Sequence, residues 1–346
     1  MYRRIVILFL LAGLLSGCIK EDTDNCEAKL RLYFRYTYNN QRLDLLASQV
    51  GDIRVYLFDQ KTGVLTDIIR ADRQDIDRGW LEPDIPEGVY TAVAWGASGE
   101  DMMQGGYHDA EMTNPATHTY SPQARIGVTT LDTFRMMLVS NQLPAGLTGE
   151  VTPAKVNFDH LFFAIAKDVS VTKKDNQIVE FDFIKNTSTL KVRITGLQYL
   201  SSQASATDQP LYVFATGPNE RYLYDNRIDP NTREVHYEPP YTTLTATTMD
   251  VDIRIQRLDI AYHSVHPILL YIQSKTIGQD MIIPLDVTDA ILRAEDAQGN
   301  PIWQTQEDVD REDEFPFEIS ILHDLSVRVT VNGFEIVDVK PGIDRN

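Results

Sequence analysis

From Lys29 to Tyr38 the chain alternates: Leu30, Leu32, Phe34, Tyr36 and Tyr38 are separated by Lys29, Arg31, Tyr33, Arg35 and Thr37. A two-residue period sends successive side chains to opposite faces of a strand, so this segment has one face for a core and one for solvent. Such a strand must find sheet partners elsewhere in the chain. The spacing predicts them at Ile53 to Phe58, Val89 to Trp95, Phe134 to Val139 and Leu161 to Ile165. Asp59-Gln60-Lys61-Thr62-Gly63 and Pro86-Glu87-Gly88 supply turns between them. The polar, glycine-containing stretch from Gly96 to Ser121 reads as a long loop.

A second series of strands is expected at 178–183, 190–194, 211–215, 251–258, 268–272, 281–285, 315–321, 325–331 and 334–339. One helix is expected after Asp286, with Asp286 as its N-cap, Asp289 three residues on, and Gly299 as its stop. Short strands, long turns and at most one or two short helices specify an all-β chain of two tandem sandwiches. The expected divisions are a leader at 1–17, an acidic tether at 18–27, a first sandwich at 28–170 and a second at 171–340.

The leader places Arg3 and Arg4 before the apolar run Ile5 to Leu15, and then Ser16, Gly17 and Cys18. Those eleven residues, at ~1.5 Å rise, reach only about half of a ~30 Å hydrocarbon core, too short for a stable span. Small residues before a cysteine form the cleavage site of a bacterial lipoprotein signal. Cleavage between Gly17 and Cys18, with acylation of Cys18, would then hold the protein at a membrane. The chain carries 32 basic and 50 acidic residues, net −18, and the leader removes two of the cations. An acidic chain lacks the basic face that nucleic acid demands, and an electrostatic grip on anionic lipid is equally excluded. If Cys18 is acylated, Cys26 is the only remaining thiol, and no internal disulfide can form.

No phosphate-binding glycine loop, HExxH, CxxC or GxSxG motif is present, so no enzyme, cofactor or metal is expected. His263 and His266 are the only close pair of histidines, and on a strand they would point to opposite faces. The acidic run Glu307, Asp308, Asp310, Glu312, Asp313 and Glu314 lacks the glycine turn of a calcium loop and reads as a solvated surface. Trp80, Trp95, Trp303 and the tyrosines could supply a sugar-stacking platform, which leaves a surface glycan-binding lipoprotein of a nutrient uptake system as the alternative.

Several segments occur together in order. They are Asp22-Thr23-Asp24-Asn25-Cys26 before the first strand, Val55-Tyr56-Leu57-Phe58-Asp59, and Glu87-Gly88-Val89-Tyr90-Thr91-Ala92-Val93-Ala94-Trp95-Gly96. Phe183 to Val192, Asp225-Asn226, Phe315-Pro316-Phe317-Glu318-Ile319 and Thr330-Val331-Asn332-Gly333-Phe334 follow. This set resembles the FimB-type anchor lipoproteins of the type V fimbriae of Bacteroidales. Phe334 stands where that family more often has Trp.

The resemblance implies transthyretin-like sandwiches, an outer-membrane lipid at Cys18, and a role as anchor or minor subunit of a fimbria. Lys20-Glu21-Asp22 is similar to the signal that sends such lipoproteins to the cell surface. The implied partners are fimbrial stalk subunits joined by strand donation. Leu30, Leu32, Phe34, Tyr36, Phe334 and Ile336 are the candidate strand-exchange residues. Stalk subunits of the family lose their first strand to a protease. Arg35, Arg42 and Arg54 offer cleavage points here, but an anchor cut there would detach, so retention is expected.

Overall fold

The computed structural model describes residues 30–138, 151–153, 158–172, 176–200, 211–265, 267–274, 281–339 and 342–343. In the first half the central layer is a five-stranded sheet in the spatial order Ile184–Lys185, Leu161–Val171, Gly88–Ala97, Asp52–Asp59, Leu65–Ala71. Its middle strand, Gly88–Ala97, is buried from Tyr90 to Ala97. That run is possible because both faces of the sheet are covered. Val55, Leu57, Ala92 and Ala94 meet Leu30, Leu32 and Phe34 of the leading strand on one side. Tyr56, Phe58, Val93 and Trp95 meet Tyr107, Phe134 and Met136 on the other. A strand buried on both faces reads as a continuous apolar run rather than an alternation, and Val89 to Trp95 does so but for Thr91.

The leading strand, Leu30–Arg35, is the middle of a three-stranded sheet, parallel to Gln177–Asp182 and antiparallel to Trp80–Leu81. The other covering sheet contains Tyr107–Asn114, inside the stretch expected to be a loop, and Thr119–Pro122, which runs one residue past its end. Its inward face includes Asp109 and Glu111, 5% and 7% exposed. Their carboxylates bond the Ala124 N–H and the Arg125 guanidinium, so polar residues occupy positions where a hydrophobic pattern would have signalled a strand.

The second half packs two six-stranded sheets. One is built on Thr187–Thr195 and Glu314–Ile321 and ends at the edge strand Phe334–Val339. The other is built on Leu211–Gly217 and Leu269–Ser274. The halves exchange strands. Arg221–Leu223, from the second half, pairs with Phe134–Leu138 of the first. Val151–Pro153 pairs in parallel with Glu234–Tyr237 of the second. Gln177–Asp182 and Ile184–Lys185, beyond residue 170, hydrogen-bond to first-half strands.

Four short α-helices occur among the described residues, against the one or two expected: Leu46–Gln49, Arg73–Arg78, Val287–Leu292 and Gln306–Asp310. Asp286 does cap the third, accepting from the Asp289 N–H at 2.9 Å. That helix ends at Leu292, before Gly299, which instead takes φ +82° in a later turn. The second and fourth carry capping boxes at Asp72 with Asp75 and at Thr305 with Asp308. Helices this short lack the repeated apolar spacing that would reveal them.

Candidate functional site

The leading strand is fastened on both faces. Leu30, Leu32, Phe34 and Tyr36 are 4%, 0%, 3% and 0% exposed. Phe34 stacks on Phe181 at 5.7 Å, and Tyr36 meets Phe162 edge-on at 5.2 Å. Four such side chains at ~1.5 to 3 kcal/mol each contribute on the order of 6 to 12 kcal/mol before chain entropy is counted. On the solvent face Arg31 pairs with Glu82. Its guanidinium lies 4.2 Å from the Trp80 ring centroid, and Arg78 lies 3.9 Å from the same ring. Gly79, at φ +79°, ends the helix Arg73–Arg78 and turns the chain into Trp80, while its carbonyl accepts from the Phe34 N–H at 2.8 Å. Arg35 pairs with Asp182 and Glu180, and the Thr37 hydroxyl donates to Asp182 at 2.8 Å.

Beyond the strand the chain reaches the seam between the halves. The Tyr36 N–H donates to Asp44 Oδ1 at 3.0 Å, and fully buried Asn39 donates its amide to the Tyr36 and Leu43 carbonyls. Asn40 then donates to Glu312 across the seam at 3.2 Å. Here lies a polar cleft of about 510 Å³, lined by Asn40, Gln49, His160, Lys185, Glu312 and Asp313 among others. Lys185 reaches Asp313 at 2.7 Å, and Arg257 forks onto Asp310 at 2.7 and 2.6 Å. The acidic run expected to be solvated therefore supplies partners to one buried cation, Lys185, and one mostly buried cation, Arg257. Burial raises Glu312, with repulsion from Asp313 adding to it. Burial lowers His160 to about 2, helped by Lys185 and Arg254, so the ring is neutral throughout the physiological range.

Trp95 and Trp303 are core residues, 0% and 5% exposed. On the second half Tyr271 stacks on Phe214 at 4.9 Å and 11°, and Phe214 on His236 at 4.5 Å and 23°. These rings cover one another's faces, whereas sugar stacking needs an open face. Among the described residues no three His, Cys, Asp or Glu side chains converge as metal ligands.

Gly17, Cys18, Lys20, Glu21 and Asp22 lie outside the described residues. Leu30, Leu32, Phe34 and Tyr36 come together in the core of the first half, and Phe334 and Ile336 stand on an edge strand of the second. The two groups do not meet. Trp80, a candidate for sugar stacking by sequence, instead meets Arg31 and Arg78, and its partners in the clamp, Glu82 and Asp182, were not singled out. A lone Trp after a glycine gives no sign that it lies between two arginines.

A protein-family model described as fimbrillin-A associated anchor proteins Mfa1 and Mfa2 matches residues 23–340. The chain belongs to this anchor family. Membership associates it with fimbriae and their subunits. Among solved structures, the Mfa2 fimbrial anchor of Porphyromonas gingivalis superposes with TM-score 0.62 at 17% identity, over 91% of this chain and 100% of that one. A Bacteroides thetaiotaomicron protein provisionally described as polysaccharide-binding gives 0.69 at 19%, over 91% and 99%. A Bacteroides ovatus protein provisionally described as an adhesin gives 0.66 at 16%, over 92% and 99%. These likenesses show a shared fold. No curated protein matches. The resemblance seen in the sequence thus agrees with the anchor family.

Proposed function

We propose that the protein is a fimbrial anchor that joins a strand-exchanged filament to the outer membrane. Cleavage behind Gly17 leaves Cys18 to be acylated, and Lys20, Glu21 and Asp22 direct the product to the cell surface. The observation that carries this reading is the seat of Leu30–Arg35 at the centre of its sheet, fastened inside by its apolar face and outside by Trp80, Glu82 and Asp182. A strand held this way keeps the tether covalently joined to the folded body.

Coupling to the stalk subunit is by β-augmentation, in which backbone bonds set register and alternate side chains supply specificity. Phe334–Val339 suits this role because among the described residues it is the terminal strand of its sheet, paired on one side with Val327–Val331. Ile336 packs against the core. Electron microscopy of cells carrying Cys18→Ala, or lacking residues 333–346, tests the proposal. Shed filaments are expected in both, and attachment equal to that of unaltered cells contradicts it. The glycan-binding alternative receives less support, since the aromatic row is stacked on itself.

A further inference from the structure

The first half has a tether end and a seam end. Leu30, where the chain enters the described sheets, stands opposite Gln177. Val171, close to Gln177 in sequence, stands opposite Gly88, and Asp59 opposite Tyr90. The Gln60 N–H donates to the Val89 carbonyl at 2.8 Å, which keeps the Asp59–Gly63 turn at the same end. The loop Arg125–Leu131 is bonded to that turn. The Leu65 N–H reaches Thr129 O at 2.8 Å, the Gly127 N–H reaches Leu65 O at 2.8 Å, and the Leu131 N–H reaches Gly63 O at 2.9 Å. The second half departs from the other end, after Asp182 and Lys185.

Four large apolar side chains are exposed at the tether end: Ile178 at 64%, Ile126 at 55%, Val128 at 49% and Val89 at 39%. Ile126 and Val128 flank Gly127, whose φ of +77° makes a tight turn between them. The turn is held from beneath. Glu111, 7% exposed, accepts from Arg125 at 3.0 and 3.1 Å and from the Thr129 hydroxyl at 3.0 Å. A buried carboxylate thus fixes the base of a loop whose tip presents two β-branched residues to water. Two apolar side chains fixed on one exposed loop tip, with two more at the same end of a chain of net charge −18, mark a contact rather than scatter.

We propose that this tip, with Val89 and Ile178 at the same end, rests on the bilayer that holds the acyl chains of Cys18. The inference relies on the acylation proposed above. Residues 19–29 join Cys18 to Leu30, and a chain of that length reaches at most roughly 40 Å, so the lipid stays near this end. Arg125 is engaged with Glu111, and Lys61 of the neighbouring turn lies beside the Asp59 carboxylate, so the contact is apolar rather than electrostatic. It buries Ile126 and Val128 at the headgroup boundary and resists salt.

The test uses the full-length protein purified from cells with its native modification and reconstituted in phosphatidylethanolamine–phosphatidylcholine vesicles bearing brominated acyl chains. Val128→Trp is compared with Leu43→Trp, since Leu43 is 57% exposed beyond the opposite end of the leading strand. Circular dichroism verifies the fold of both. Added fluorescence from Val128→Trp should be quenched about two- to threefold more than that from Leu43→Trp, at low and high salt alike. Equal quenching in a protein whose mass shows acylated Cys18 overturns the inference and leaves the anchor reading standing. Preferential quenching in a protein without acyl chains supports the surface and removes the lipid; neither quenching nor acylation overturns both.

Discussion

The Lys185 ammonium, 6% exposed, lies 2.7 Å from the Asp313 carboxylate across the seam between the two halves. Lys185 sits on a strand paired with the first half, and Asp313 directly precedes Glu314–Ile321 of the second. Asp313→Asn would strand a buried cation, and such a loss costs about 3 to 5 kcal/mol. Urea denaturation of Asp313→Asn should show it as a lowered midpoint with an unchanged slope. The double variant Lys185→Met, Asp313→Leu should regain much of that stability, because neither charge is then left unpaired.

Phe34→Ala removes a 3%-exposed ring that stacks on Phe181 and meets Phe183 at a tilt. The expected loss is about 3 to 5 kcal/mol. Arg31→Ala frees one face of Trp80 and breaks a partly exposed, solvent-screened ion pair, for which a much smaller loss is expected. Thermal or urea unfolding that ranked these in the opposite order would show that the outer clamp dominates.

Arginine-specific proteolysis should discriminate among the three candidate cleavage points. Arg35 and Arg54 lie in paired strands and hold carboxylates, whereas Arg42 lies in an exposed turn at φ +54°. Limited digestion is expected to cut first at Arg42, and the leading fragment should remain seated until denaturant is added. First cleavage at Arg35, read by mass spectrometry, would contradict a locked strand.

His160 gives a pH signature. Its folded value is lowered to about 2 from the ordinary 6.5. Below pH ~6.5 the unfolded chain therefore binds a proton that the folded chain refuses, and stability falls as pH falls. The effect is absent above that range. Between pH 7.5 and 5 the unaltered protein should lose about 2 kcal/mol more than His160→Gln. His236 is lowered as well, by burial, but it is common to both proteins and cancels in the comparison.

Much of the fold was legible because its strands obey one of two rules. Leu30–Arg35 alternates, and Gly88–Ala97 is apolar but for Thr91; each pattern follows from how many faces are covered. Tyr107–Asn114 obeys neither, because Asp109 and Glu111 are buried by their hydrogen bonds rather than by apolarity. The apolar half of the candidate site, Leu30 to Tyr36, could be read from its own spacing. The polar half could not. Asp182, Glu82, Asp310 and Asp313 reach their cations from 51 to 147 residues away, and single-sequence spacing carries no record of partners that only the folded sheets bring together.

Arg221–Leu223 and Val151–Pro153 cross the seam in opposite directions. Pulling the halves apart would therefore tear a sheet in each of them at the same instant, with neither free to uncoil before the other. Under tension along a filament, the molecule should yield in one abrupt rupture, as a dovetailed joint does, and not in two successive steps.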